Sequence, residues 1–141
     1  MFCITKKFRF EAAHALLNYD GLCKNIHGHS YELLVTIQGE KDPTTQMVID
    51  FKLLKQIVAG EFLDSVDHSF IFNRNHPDAK QFDGYKGKTY QIDGEPTAEN
   101  LIEKIASLIE PKLPTGCALY SLKLYETESS FVEWFNDTIS R

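Results

Sequence analysis

The chain has 141 residues, of which 43% are hydrophobic and 25% charged, and its formal net charge is −5. This length and composition fit one globular domain spanning residues 1–141, with enough apolar residues to bury a core. The acidic balance argues against nucleic-acid binding, which needs a basic surface. No apolar run approaches the roughly 20 residues of a membrane-spanning helix, so we expect no membrane partner.

Cysteine usage bears on the compartment. The three cysteines, Cys3, Cys23 and Cys117, are odd in number and do not form a disulfide framework. We therefore expect a reducing, cytoplasmic setting in which the thiols are free for chemistry.

Two early segments alternate between apolar and polar side chains. Residues 2–14 place His14 on the apolar parity, and residues 27–38 place His27 and His29 there. Such alternation predicts two strands with one buried face each. If the strands pair as a hairpin, the three imidazoles converge at one end of a sheet.

Two later segments have helical spacing. Asp50 is a good N-cap for a helix over 50–64, and Thr97 is a good N-cap for a second helix, with Glu99 favourable in its first turn. Pro111 ends that second helix.

The end of the chain returns to alternation. Residues 117–126 predict a strand that ends with Glu126 on the apolar parity, and residues 131–135 predict a last short strand. The order β-β-α-α-β-β predicts an α+β domain, with an antiparallel four-stranded sheet and two helices on one face. Between the helices, residues 88–92 allow a short strand, and we expect His76 at the surface.

The three histidines suggest a metal site. Three neutral imidazoles leave an open coordination position, as catalytic zinc sites do, although a lone histidine is more often structural. Cys23 leaves two interpretations open. As a fourth ligand it would close a structural site, and as a free thiol beside a metal it would gain thiolate character and act as a base.

Two further polar features need an explanation. An adjacent Asp67-His68 pair is usually a polar turn, but a carboxylate can also hold an imidazole in one tautomer for proton transfer. Glu126 on a buried parity needs a partner. A carboxylate accepts two parallel N–H bonds, which the 2-amino-4-oxo ring of a pterin or guanine offers.

Six segments resemble, in the same order, the motifs of the 6-pyruvoyltetrahydropterin synthase and 6-carboxytetrahydropterin synthase superfamily. They are residues 10–14, 23–29, 47–51, 67–68, 96–100 and 125–127. Each is a weak signal, and six in the family's order are specific. The resemblance implies a tunnelling fold in which subunits join edge strands into barrels. It commonly implies a homohexamer of two trimers with active sites between subunits.

The resemblance also implies a role for each candidate residue. These roles are zinc binding by His14, His27 and His29; proton acceptance by Cys23; a proton relay by Asp67 and His68; pterin anchoring, and membership of the relay, by Glu126; and a position near the pterin for Thr97 and Glu99.

Spacing discriminates within the superfamily. Three residues separate Cys23 from His27, which is similar to the carboxy-forming enzymes of queuosine biosynthesis. The implied reaction of such a lyase turns 7,8-dihydroneopterin triphosphate into 6-carboxy-5,6,7,8-tetrahydropterin, with acetaldehyde and triphosphate released. Two alternatives remain, a 6-pyruvoyltetrahydropterin synthase and a non-catalytic zinc-stabilised binding module in which Cys23 is a ligand. Residues 73–95, longer than in compact members, have no assigned role.

Overall fold

A six-stranded mixed sheet forms the frame of the protein in a computed structural model that describes residues 1–139. The strands are β1 (Phe2–His14), β2 (His27–Gly39), β3 (Ser69–Asn73), β4 (Thr89–Ile92), β5 (Cys117–Tyr125) and β6 (Phe131–Phe135), in the spatial order β4-β3-β1-β2-β5-β6. The β1-β2-β5-β6 part is antiparallel. β3 runs parallel to β1, and β4 runs parallel to β3.

The predicted four-stranded antiparallel sheet is therefore wrong in strand number and in strand direction at one edge. The reason lies in β3, whose five residues Ser69–Asn73 are all buried. A parallel strand covered on both faces reads as a continuous apolar run, so it shows no alternation. The short strand allowed at 88–92 is present as β4.

The β1-β2 hairpin has the predicted register. The two strands pair over their full length, with His14 opposite His27 and Ala12 opposite His29. Slipping one strand by one residue would turn its apolar face to solvent, so burial of one face fixes this pairing. The three histidines consequently lie on the core face at the end of the hairpin where the 15–26 loop joins the two strands.

The helices cover the core face of the sheet, as predicted. α1 (Phe51–Val58) continues through a π-helical turn at Ala59–Leu63 into α2 (Asp64–Val66), and α3 spans Ala98–Ile109. Both predicted N-caps are confirmed, because Asp50 accepts a hydrogen bond from the Lys52 N–H and Thr97 accepts one from the Asn100 N–H. The core is built from the helix residues Leu54, Val58, Phe62, Leu101, Ile102, Ile105 and Ile109 on the strand residues Phe8, Phe10, Tyr31, Leu33, Val35, Leu122 and Leu124.

Short 3₁₀ segments at Leu22–Lys24, Pro77–Phe82 and Glu110–Lys112 complete the elements. Within residues 1–139, no helix combines the length and the apolar character that crossing a membrane requires.

A second, smaller apolar cluster lies on the other side of β3. Ala15 and Leu17, from the loop after β1, pack there with Phe70, Phe72 and Ala79. The loop between β1 and β2 is therefore anchored by apolar contacts to the segment that follows β3.

Candidate metal site and adjoining cleft

Three histidines from the β1-β2 hairpin form a compact group. One ring nitrogen of each of His14, His27 and His29 lies within 4.8 Å of those of the other two. His14 Nε2 and His27 Nε2 are 3.0 Å apart. The predicted convergence of the imidazoles is confirmed, and the group could hold a metal ion.

Backbone carbonyls set the tautomers of two of these rings. His14 Nδ1 lies 2.8 Å from the Pro96 carbonyl oxygen, and His27 Nδ1 lies 2.8 Å from that of Asn25. Because a carbonyl oxygen only accepts, each Nδ1 carries the proton and donates it. The two facing Nε2 atoms then present lone pairs to each other with no proton between them, which a cation would satisfy.

The third ring points to the same conclusion. His29 Nε2 is buried and has no hydrogen-bond partner among the described residues. Burial lowers the pKa of His29, and the nearby Glu126 carboxylate only partly opposes this shift. Burial also lowers the pKa of His14. Neutral imidazoles are the form that binds metal, so the donor set fits a metal ion well.

Cys23 lies outside this group of three. It belongs to the 3₁₀ turn Leu22–Lys24 and is half-buried. Its carbonyl oxygen accepts a hydrogen bond from the Leu16 N–H at 2.9 Å, which closes the loop between β1 and β2. Among the described residues, the group that could hold a metal ion therefore consists of the three histidines without Cys23.

A cleft of about 280 Å³ adjoins the histidines. Thr97 and Glu99, from the start of α3, line it together with Glu126, which follows β5. Glu126 Oε1 lies 3.4 Å from His29 Nε2. The structure thus brings Glu126, which lies next to His29, together with Thr97 and Glu99, for which the resemblance implies a position near the pterin. Leu16 and Phe131 supply apolar walls.

The Asp67-His68 pair forms a well-defined unit at the end of α2. Asp67 Oδ1 lies 3.0 Å from His68 Nδ1. The same oxygen accepts the Glu11 N–H at 2.9 Å, and this hydrogen bond lowers the pKa of Asp67. His68 has a left-handed backbone (φ 62°), a conformation that costs free energy in a non-glycine residue. Lys88 Nζ supports the turn by donating to the Asp67 carbonyl at 2.7 Å.

The position of His68 is described by its exposure and by the cleft that it lines. Its side chain is 76% exposed and lines a cleft with Glu11, Ser30 and His29, whose lining residues include neither Cys23 nor Glu126. Glu11 and Ser30 point to the sheet face opposite the helices, because strand side chains alternate. Within one chain, His68 therefore shares a cleft with His29 of the histidine group, and neither Cys23 nor Glu126 lines that cleft.

Sequence reasoning missed the groups that orient the histidines. The carbonyls of Pro96 and Asn25 carry no side-chain signal. The sequence did carry a signal for Tyr31, because this residue follows His29 on the same face of the strand. Its hydroxyl lies 3.4 Å from His14 Nδ1, and burial raises its pKa above the usual range.

The fold and the site define an α+β protein with three histidines that could hold a metal ion beside a cleft. Residues 3–137 match the family model for 6-pyruvoyl tetrahydropterin synthase. The chain belongs to this family, and the resemblance predicted from six motifs is confirmed.

Relatives of two kinds are similar to the chain. The 6-carboxy-5,6,7,8-tetrahydropterin synthase of Haemophilus influenzae is 36% identical over 141 aligned residues, covering 95% of this chain and 99% of that protein. The 6-pyruvoyl tetrahydrobiopterin synthase of Pongo abelii is 31% identical, covering 92% and 88%. Among solved structures, the Caenorhabditis elegans 6-pyruvoyl tetrahydropterin synthase superposes with a TM-score of 0.69 at 27% identity, covering 96% of both chains.

Proposed function

We propose that the protein is a zinc-dependent lyase that converts 7,8-dihydroneopterin triphosphate and water to 6-carboxy-5,6,7,8-tetrahydropterin, acetaldehyde and triphosphate. The observation that carries this proposal is the three-histidine group beside the cleft lined by Thr97, Glu99 and Glu126. The carboxy product is favoured by the relative at 36% identity and by the three-residue gap between Cys23 and His27.

His14, His27 and His29 would hold the zinc ion. When bound, zinc supplies Lewis-acid polarisation of the substrate's side-chain oxygens and so acidifies the adjacent C–H bonds. The donor set of three neutral imidazoles is typical of catalytic zinc, which keeps a position open for substrate.

Glu126 orients the substrate. Its carboxylate, half-buried at the end of the cleft, accepts two parallel N–H bonds from the 2-amino-4-oxo ring. Thr97 and Glu99 line the same cleft and contact the ring from the start of α3. Buried charge-assisted bonds of this kind discriminate strongly against rings that lack the donor pair.

Cys23 and the Asp67-His68 pair move the protons. Cys23 thiolate removes a proton from the side-chain carbon next to the ring. Asp67 holds the Nδ1–H of His68, so that His68 Nε2 is the atom that exchanges a proton with the substrate. Glu126, 3.4 Å from His29, joins this relay.

The reaction balances without an external oxidant. The dihydropterin ring gains two hydrogens as the first side-chain carbon is oxidised to a carboxylate. One water enters, the bond between the first and second side-chain carbons breaks, and the remaining two carbons leave as acetaldehyde. Triphosphate leaves from the third carbon. Zinc is therefore the only cofactor in this proposal.

A complete site requires a second copy of the chain. Neither Cys23 nor Glu126 lines the cleft of His68, and we propose that a neighbouring subunit delivers its Asp67-His68 pair. The sheet ends at β4 and β6, and unpaired strand edges of this kind can join between subunits. We therefore propose barrels in a homohexamer of two trimers, acting in queuosine biosynthesis in the cytoplasm.

Two other functions compete with this one. A 6-pyruvoyltetrahydropterin synthase would use the same residues and release only triphosphate, and the relative at 31% identity bears that kind of name. A non-catalytic zinc module would need Cys23 as a ligand, and Cys23 lies outside the histidine group.

Product analysis separates the three functions. The zinc-loaded protein is incubated with 7,8-dihydroneopterin triphosphate, the pterin product is identified by mass spectrometry, and acetaldehyde is measured by NADH-coupled reduction. A carboxy-pterin with equimolar acetaldehyde supports the proposal. A pyruvoyl product without acetaldehyde, or no turnover, removes it.

A further inference from the structure

The loop that carries Cys23 rests on the segment between β3 and α3. Ala15 and Leu17, at the start of this loop, pack on Phe70 and Phe72 of β3 and on Ala79. Ala79 belongs to the 3₁₀ segment Pro77–Phe82, which lies within residues 73–95 and lacked a role in the sequence. The segment therefore supplies part of the surface on which the Cys23 loop sits.

Two hydrogen bonds to Asn18, a residue of the loop, reinforce this contact. His76 Nε2 lies 2.8 Å from Asn18 Oδ1, and the Asn18 N–H donates to Glu95 Oε1. The loop is also closed on itself, since the Leu16 N–H donates to the Cys23 carbonyl. Asn18 is thus held from both ends of the 73–95 segment, two residues from the bond that closes the loop at Cys23.

The tautomer of His76 follows from its hydrogen bonds. His76 Nδ1 accepts the Asp78 N–H at 3.0 Å, so the proton of the neutral ring is on Nε2, which donates to Asn18. Only 14% of the His76 side chain is exposed, so the expectation of a surface residue is wrong. The ring is held because one nitrogen caps the 3₁₀ segment and the other binds the loop.

We propose that His76 is a positioning residue, whose Nε2–H bond to Asn18 fixes the 15–26 loop and so holds Cys23 in one place relative to the histidines. The consequence for turnover rests on the role proposed for Cys23, whereas the holding of the loop does not. Leu16 lines the cleft that contains Thr97, Glu99 and Glu126. The same hydrogen bond therefore also fixes one wall of that cleft.

Two substitutions by amide residues separate the effects of the two hydrogen bonds that the His76 ring makes. His76→Gln places an amide NH₂ near the position of Nε2 and keeps the donor to Asn18. His76→Asn places an oxygen near the position of Nδ1, so it keeps the cap on the Asp78 N–H and loses the bond to Asn18. A merely structural role as a cap predicts that Asn is the better replacement, and a positioning role predicts Gln.

The first measurement needs no substrate. Iodoacetamide modification of Cys23 is followed by peptide mass spectrometry, with Cys3 as the internal reference. We expect about tenfold faster modification of Cys23 in His76→Asn, the factor expected for loss of one hydrogen bond, and a rate within about twofold of the parent in His76→Gln. Equal Cys23 rates in the two variants, or faster modification in His76→Gln, would overturn the proposal.

The second measurement is turnover of 7,8-dihydroneopterin triphosphate. We expect kcat to fall about tenfold in His76→Asn and to be retained in His76→Gln, with equal zinc content in both. A variant combining His76→Asn with Asn18→Ala should be no slower than His76→Asn, because the two residues share one bond. Additive losses would contradict this coupling. A parent protein that fails to turn over would sink the proposed reaction, while the thiol measurement would still decide the role of His76.

Discussion

Pro96 and Asn25 orient two of the three histidines through their backbone carbonyls. Metal-binding histidines commonly donate their second N–H to a carboxylate, a carbonyl or a water. Here, no substitution of the Pro96 or Asn25 side chain removes the accepting atom directly. The orientation of His14 and His27 therefore depends on the path of the backbone, and the substitutions that test the centre must be made at the histidines themselves.

His27→Ala tests the metal centre. Two imidazoles hold zinc far less well than three, so we expect zinc affinity to fall by more than the roughly 10–100-fold caused by loss of an outer hydrogen-bond partner. Zinc content after dialysis against a weak chelator measures this change. His68→Ala is the matched control, and it should retain zinc while losing turnover. Equal zinc retention in the two variants would contradict the assignment.

Cys23→Ala tests the proposed base. Removing a general base typically lowers the rate about 10²–10⁴-fold, so we expect kcat to fall by this factor while zinc content is unchanged. Cys3→Ala, at an exposed cysteine, is the control and should match the parent. Loss of zinc in Cys23→Ala would instead support the closed structural site.

At the scale of elements, alternation and capping predicted most of the fold. β1 and β2 alternate because the sheet is covered on one face only, and Asp50 and Thr97 mark the helix starts because their side chains accept orphan N–H bonds. β3 was missed because both of its faces are buried. The π-helical turn at Ala59–Leu63 was also missed, because the apolar residues of this segment continue the helical spacing. The helical segment runs to Val66, two residues beyond the predicted end at 64.

Asp50→Ala measures the cap of α1. Loss of the bond to the Lys52 N–H should lower the free energy of unfolding by about 1 kcal/mol without changing kcat, since Asp50 is exposed and lies outside the described clefts. Urea unfolding at fixed protein concentration measures the change. Asp50→Asn, which keeps an accepting oxygen, should unfold within a few tenths of a kcal/mol of the parent; a loss as large as that of Asp50→Ala would argue against the cap.

For the molecule as a whole, residue patterns predicted that the three histidines converge, because they belong to one hairpin. The grouping of Thr97 and Glu99 with Glu126 followed only from the family resemblance. Residue patterns have a further limit. They did not predict where the relay lies. Asp67 and His68 lie on a turn whose position depends on the parallel pairing of β3 with β1. The sequence does not predict that pairing, because β3 has no alternation of apolar and polar residues. The position of His68 accordingly depends on the sheet order.

Mixing two inactive variants tests the shared site. If each site takes Cys23 from one subunit and His68 from its neighbour, Cys23→Ala and His68→Ala refolded together in equal amounts should recover about one quarter of parental activity per site, by random assembly. Each variant refolded alone is the control. Failure of the mixture to exceed the controls, with mixed assemblies shown by native mass spectrometry, would place both residues in one subunit's site.

Hydrogen bonds of residues 95–100 connect His14 to the first turn of α3 and so influence local opening of that turn. Pro96 holds His14, the adjacent Thr97 side chain holds the Asn100 amide, and the Asn100 side chain donates to the Glu95 carbonyl at 2.8 Å. An ion on His14 would therefore resist opening of the first turn of α3. Amide hydrogen exchange at Asn100 should slow when zinc is added, whereas exchange at Lys52, held by the Asp50 cap, should be unchanged. One helix end would thus report metal occupancy, and the other would serve as its reference.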